Sequence, residues 1–120
     1  MITINTIALY VNDQERSKRF YVDVLGFEVR TDTDMGGMGR WIEVAPPGSP
    51  TAFVLADAKG FDRQERVGSS ADITLKTDDI QALHRKLSER QLPVSAPEKQ
   101  AWGTFLTVVD PDGHSLLIRD

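Results

Sequence analysis

The chain is written twice, and that constrains its fold more than any single motif. Ile7-Ala-Leu-Tyr-Val-Asn-Asp13 is matched by Ile73-Thr-Leu-Lys-Thr-Asp-Asp79, 66 positions on. Gly26-Phe-Glu-Val29 is echoed by Gln91-Leu-Pro-Val94, and Trp41-Ile-Glu-Val44 by Phe105-Leu-Thr-Val108. The turn Pro46-Pro-Gly48 corresponds to Asp110-Pro-Asp-Gly113. The four matches keep their order at nearly constant offset, which is how a duplicated supersecondary unit reads. Each half runs strand, helix, strand, then a hairpin. The clearest piece is Trp102 to Ile118. There β-branched and apolar runs flank a turn in which proline presets φ and glycine supplies φ > 0.

In order, Ile4 to Val11 reads as a strand with Ile7, Leu9 and Val11 on one face and Thr6, Ala8 and Tyr10 on the other. Asn12 or Asp13 caps a helix over about 14–25, with Asn12 and Glu15 fitting a capping box, and Gly26 ends it. Phe27 to Thr31 is a strand and Met35 to Gly39 a flexible loop. Arg40 to Ala45 and Thr51 to Ala56 form a hairpin. The polar stretch 57–70 links the halves, its core at 59–69. Ala71 to Thr77 opens the second half. A helix follows from Asp78 or Asp79 to about Arg90, with Ile80, Leu83, His84 and Leu87 on its stripe. Leu92 to Ser95, broken by Pro93, is expected at a sheet edge, and Pro97 to Ala101 as a loop. The fold class is therefore α+β: two βαβββ modules, about 1–58 and 70–120, forming a curved mixed sheet around a cleft.

A length of 120 residues suits one domain with a real core. The formal net charge of -4 gives nucleic-acid binding little support. Cysteine is absent, which excludes disulfides, thiolate metal sites and cysteine nucleophiles. No apolar run is long enough to span a bilayer, and the N-terminus lacks the marks of a signal peptide, so no membrane role and a cytoplasmic location are expected.

A sheet covered by a helix on one face leaves the other face for function. Alternation assigns Thr6, Ala8 and Tyr10 to the free face of the first strand. Trp41 and Glu43 follow in the third, because Ile42 and Val44 claim the helix side. In the fourth strand the pattern is ambiguous, and Phe53 and Leu55 are chosen. The second half contributes Asp72, Thr74 and Lys76, then Phe105, Thr107, Ser115 and Leu117, with Trp102 at the head of the last hairpin. Aromatic walls with a few polar groups are how small-molecule sites are built. Aromatic faces beside carboxylates suit a planar or cationic ligand. The same aromatics could equally fill a core or a dimer interface.

Catalytic signatures are sparse. His84 falls on the helix stripe and His114 in the hairpin turn, where it is expected to be solvated; they lack the spacing of a helical zinc pair. No G-x-S-x-G elbow occurs, and the Met35–Gly39 glycines are not followed by the helix a phosphate-cradling loop requires.

Val11-Asn-Asp13, Ser17-Lys-Arg-Phe-Tyr21, Val24-Leu-Gly-Phe27, Thr77-Asp-Asp-Ile80, Trp102-Gly103 and Asp110-Pro-Asp-Gly113 together resemble the vicinal oxygen chelate superfamily. That group includes glyoxalase I, extradiol dioxygenases and bleomycin resistance proteins. The resemblance implies paired βαβββ modules, a curved cleft and a homodimer. Metal-dependent members place one His, Gln or Glu ligand on each of four strands. Aligned on the flanking motifs, those positions are Thr6, Leu55, Asp72 and Leu117, of which only Asp72 is an ordinary ligand. The resemblance therefore implies a metal-free small-molecule binder of an aromatic or cationic compound, with no cofactor. The alternative is a lyase, isomerase or dioxygenase with an atypical metal site.

Overall fold

The computed structural model describes residues 1–69 and 72–120. The chain divides into two compact units, residues 1–70 and 71–120. Each carries one four-stranded mixed sheet.

In the first unit the strands are β1 (Thr6–Val11), β2 (Glu28–Asp34), β3 (Arg40–Ala45) and β4 (Ala52–Asp57), in the order β1-β4-β3-β2. β1 and β4 are parallel; β2 with β3 and β3 with β4 are antiparallel. Helix α1 (Gln14–Arg19) begins at Asp13, whose Oδ1 accepts the Arg16 N–H at 3.0 Å. Asp13 is thus the cap, and Asn12 is not. The helix widens into one π-helical turn, Phe20–Val24, in which the Leu25 N–H donates to the Phe20 carbonyl five residues back. Gly26 then takes φ +78° and turns the chain out, as the sequence implied.

That π turn stacks aromatic rings against the sheet. Tyr21 is fully buried, edge-on to Phe20 at 5.2 Å and to Phe53 at 5.7 Å. Phe27 lies 5.8 Å from Phe53, completing the cluster. Leu9, Val11, Ile42, Val44 and Leu55 fill the remainder, each fully buried. Burying a side chain of this size contributes about 1.5–3 kcal/mol, and the paired rings add about 0.5–1.5 kcal/mol per pair.

At its rim the helix is tied down by polar groups. Gln14 Nε2 donates to the Arg40 and Leu55 carbonyls, while its Oε1 accepts the Arg40 N–H at 3.0 Å. One amide thus bridges α1, β3 and β4. Asp32 accepts from Arg40 and, at 2.8 Å, from Lys18. The Arg40 guanidinium first and the Lys18 ammonium second lower the Asp32 carboxyl to about 2. The same contacts raise Arg40 further above its ordinary value.

The expected flexible loop at Met35–Gly39 is a closed turn. The Met35 N–H donates to the Gly39 carbonyl at 2.8 Å around a single 3₁₀ turn, Gly36–Met38. Gly60 lies so close that a Cβ there would come within 2.6 Å of the Met38 carbonyl oxygen. The segment expected to be a linker is likewise part of the first unit. The Ala58 N–H donates to the Val11 carbonyl, and Phe61 and Arg66 approach Tyr10.

The second unit repeats the plan with β5 (Ile73–Lys76), α2 (Ile80–Glu89), β6 (Glu98–Gln100), β7 (Gly103–Val109) and β8 (Ser115–Arg119), in the order β5-β8-β7-β6. Ala71, expected to begin its first strand, and Ser70 of the linker lie outside the described residues. Asp79 caps α2 by accepting the Ala82 N–H at 3.0 Å, which matches Asp13 across the repeat. Ile73, Ile80, Leu87, Leu106, Val108, Leu116 and Ile118 form the core.

The edge strand is shifted from expectation. Only Val94 of Leu92–Ser95 makes a β bridge, to Val108, and the ladder proper runs over Glu98–Gln100, where a loop was expected. Pro93 can offer β7 only its carbonyl, which accepts from Val109; Ser95 donates to Thr107, and pairing resumes beyond Pro97. In the last hairpin, Asp110 accepts the Asp112 and His114 N–H groups on one carboxylate oxygen, at 2.9 and 2.8 Å. That turn draws His114 inward: it is 1 % exposed, not solvated.

Candidate functional site

Each sheet packs one face under its α-helix; the opposite face, called the open face, is free of α-helix, although Ala52, Val54 and Ala56 on it are only 2–4 % exposed. In the first unit, strand pairing fixes the open face. Ala8 lies opposite Val54 on β4, and Val54 opposite Glu43 on β3; Glu43 lies opposite Thr31 on β2. Thr6, Tyr10, Trp41 and Thr33 share that face by alternation, and Ala52 and Ala56 pair with Thr6 and Tyr10. Five of the expected residues are thereby brought together: Thr6, Ala8, Tyr10, Trp41 and Glu43.

Phe53 and Leu55 are not among them. Phe53 packs against Tyr21 and Phe27, and Leu55 is fully buried opposite Leu9, on the helix side. The open-face residues of β4 are Ala52, Val54 and Ala56. All five residues Ala52–Ala56 are buried, so hydrophobic alternation gives no signal. Side-chain size does alternate, with the large residues under the helix and the small ones opposite. That pattern would have corrected the assignment.

The result is a low floor of alanine and valine between larger groups. The Trp41 indole N–H donates to Glu43 Oε2 at 2.7 Å, both side chains half-buried. Tyr10 stands two strands away, edge-on to Phe61 at 6.5 Å and beneath the Arg66 guanidinium at 5.6 Å. Neither Phe61 nor Arg66 was expected here, because the stretch carrying them reads as a linker.

In the second unit the open face carries Asp72, Thr74, Lys76, Phe105, Thr107, Ser115, Leu117 and Arg119. Asp72, Thr74, Thr107, Ser115 and Leu117 line a cavity of about 340 Å³ together with Ile73. Its wall is one carboxylate and three hydroxyls around a leucine. Beside it, Trp102, 48 % exposed, stacks on Phe105 at 5.4 Å and lies under the Arg119 guanidinium at 4.8 Å. Arg119 also donates to the Trp102 carbonyl at 2.8 Å, which fixes the stack. The role of Arg119 was missed, because charge at a strand end looks like solubilising charge.

The donor chemistry of these faces does not fit a divalent metal. Of the positions implied by resemblance, Leu55 points away from the open face, and its neighbours Val54 and Ala56 carry no lone pair. Leu117 is on the open face but offers only carbon. Among the described residues no three His, Asp or Glu side chains gather at one point. A tight site needs three or four nitrogen, oxygen or sulfur ligands.

The model of the glyoxalase/bleomycin resistance protein/dioxygenase superfamily matches residues 3–118, and the chain belongs to that family. It is 32% identical to the Bacillus subtilis protein YetH over 98% of this chain and 97% of that one. Among solved structures it resembles TnmS3, an antibiotic binding protein from Streptomyces sp. CB03234. The identity is 34%, the TM-score 0.87, and 99% of this chain and 95% of that chain are covered. A glyoxalase/bleomycin resistance protein from the same organism is 36% identical, with a TM-score of 0.83 and coverage of 98% and 100%. No helix among the described residues is long and apolar enough to cross a membrane.

Proposed function

We propose that the protein is a metal-free small-molecule binding protein that holds a planar aromatic or cationic compound against the open faces of its sheets, and that it works as a homodimer. The observation that carries the binding role is the set of aromatic side chains left on helix-free faces beside polar groups: Trp41 with Glu43 in one unit, Trp102 and Phe105 in the other. In a monomeric core these rings would be buried, as Tyr21, Phe27 and Phe53 are. The cavity beside Asp72 has the volume and mixed lining of a small-ligand site. Likeness to an antibiotic binding protein over nearly the whole chain supports the same reading. The absence of lone-pair donors at Val54, Leu55, Ala56 and Leu117 supports binding without metal catalysis. Exposed Ile2 and Ile4, leading into the edge strand β1, support self-association.

The test is a thermal-shift screen over planar antibiotics and polycyclic aromatic metabolites, followed by calorimetric titration of the hits. A ligand at about 100 times its Kd stabilises the fold by about 2.7 kcal/mol, which is readily seen as a shift in Tm. Trp41→Phe and Trp102→Phe should weaken a hit while leaving the fold intact. Turnover of the hit by the purified protein would replace this reading with an enzymatic one.

A further inference from the structure

We infer that Glu43 is an oriented acceptor that selects ligands carrying a cationic nitrogen, so that the open face of the first unit prefers a planar aromatic ammonium to its neutral or anionic counterparts. The inference rests on the binding role proposed above and names the ligand chemistry of that site. β3 is an inner strand, flanked by β4 and β2. A carboxylate halfway along it lies opposite Val54 on one side and Thr31 on the other, neither of which can neutralise it. A half-buried charge in such a place costs stability unless hydrogen bonds or an opposite charge offset it. Glu43 has one such partner. The Trp41 N–H reaches Oε2 at 2.7 Å, and among the described residues no Lys, Arg or His lies within ion-pair distance of either oxygen.

That arrangement differs from a solvated surface glutamate in two respects. The indole holds the carboxylate in one orientation, so an incoming donor meets an acceptor that is already placed. It also leaves Oε1 without a donor among the described residues. On the same face Glu43 lies opposite Val54 on β4 and Thr31 on β2, with Trp41 two residues before it. A flat ring can approach with its edge toward the half-buried carboxylate. A protonated amine on the ring would then form a charge-assisted hydrogen bond, which is about twice as strong as a neutral one. A carboxylate in the same place would be repelled.

Three probes that share one ring system and differ in charge test this: 2-naphthylmethylammonium, 2-naphthylmethanol and 2-naphthoate, titrated by calorimetry at pH 7. The cation should bind about tenfold or more tightly than the alcohol, with the carboxylate weakest. Glu43→Gln keeps an oxygen for the Trp41 N–H. It should bring the cation and the alcohol to within about twofold of each other. In the wild-type protein the Trp41 indole N–H resonance should move on adding the cation, with Trp102→Phe used to assign the two tryptophan signals. This readout does not depend on the folding of Glu43→Gln. Equal affinity for cation and alcohol, a preference that survives Glu43→Gln, or a silent Trp41 resonance overturns the inference. If none of the three probes binds, the inference is likewise overturned. The wider binding role then stands or falls on the aromatic screen.

Discussion

Gly26 and Gln91 occupy equivalent places in the two halves, and exchanging their residue types should move stability in opposite directions. Both end the helix of their unit in the left-handed region, Gly26 at φ +78° and Gln91 at φ +57°. The Gln91 N–H donates to the Ser88 carbonyl at 3.0 Å, and its side chain is exposed. An L-residue in this conformation costs about 1–2 kcal/mol, whereas glycine there has no such penalty but carries about 0.5–1 kcal/mol of extra unfolded-chain entropy. Gln91→Gly should therefore stabilise the protein by about 0.5–1 kcal/mol, or raise Tm by about 2–4 °C at this chain length. Gly26→Ala should cost about as much, and for conformation alone, since no atom lies within 4 Å of the Cβ it would add. Urea unfolding followed by far-ultraviolet circular dichroism measures both, with the m-value as a check that the transition is unchanged. A destabilised Gln91→Gly together with a neutral Gly26→Ala would refute the left-handed geometry at both helix ends.

Four further outcomes follow from the same structure. Asp32 is lowered from 3.8 to about 2 in the fold. Its stabilising effect is therefore complete above its unfolded value and is lost as pH falls through about 2. After discounting for its solvent-accessible position, Asp32→Asn should cost about 1 kcal/mol at pH 7 and almost nothing near pH 1.5, read by urea unfolding at the two pH values. Phe53→Ala should cost about 3–5 kcal/mol, while Trp41→Phe should stay within about 1 kcal/mol of the wild type; comparable losses would mean that Trp41 is core. Elemental analysis of untagged protein should find no stoichiometric divalent metal, and about one tightly bound ion per chain, abolished by Asp72→Ala, would contradict that. Sedimentation at micromolar concentration should give twice the chain mass, and monomer mass alone would remove the homodimer.

How much of this was legible in the sequence depended on whether one physical rule was acting alone. The duplicated plan was legible because every repeated feature is local: a helix cap at Asn12 or Asp13 and again at Asp78 or Asp79, Gly26 at a helix end, proline and glycine in the two hairpin turns. The open face of β1 and β3 was legible because each strand has one apolar face and one mixed face, so a period of two identifies both. β4 broke that rule. Its residues are buried on both faces, and only the alternation between small and large side chains tells which face meets the aromatic cluster under α1. His114 was misjudged because a turn normally faces water, whereas the Asp110 carboxylate gathers two backbone N–H groups and folds the loop back over its own strands. The approach of Phe61 and Arg66 to Tyr10 has no sequence signature, since it depends on where a polar segment is carried by the strands at its ends. The candidate site falls on both sides of this divide. Trp41 and Glu43 could be assigned to one face by periodicity. The 2.7 Å hydrogen bond that turns them from two neighbours into one oriented acceptor is a property of their rotamers, and no pattern of residue types encodes it.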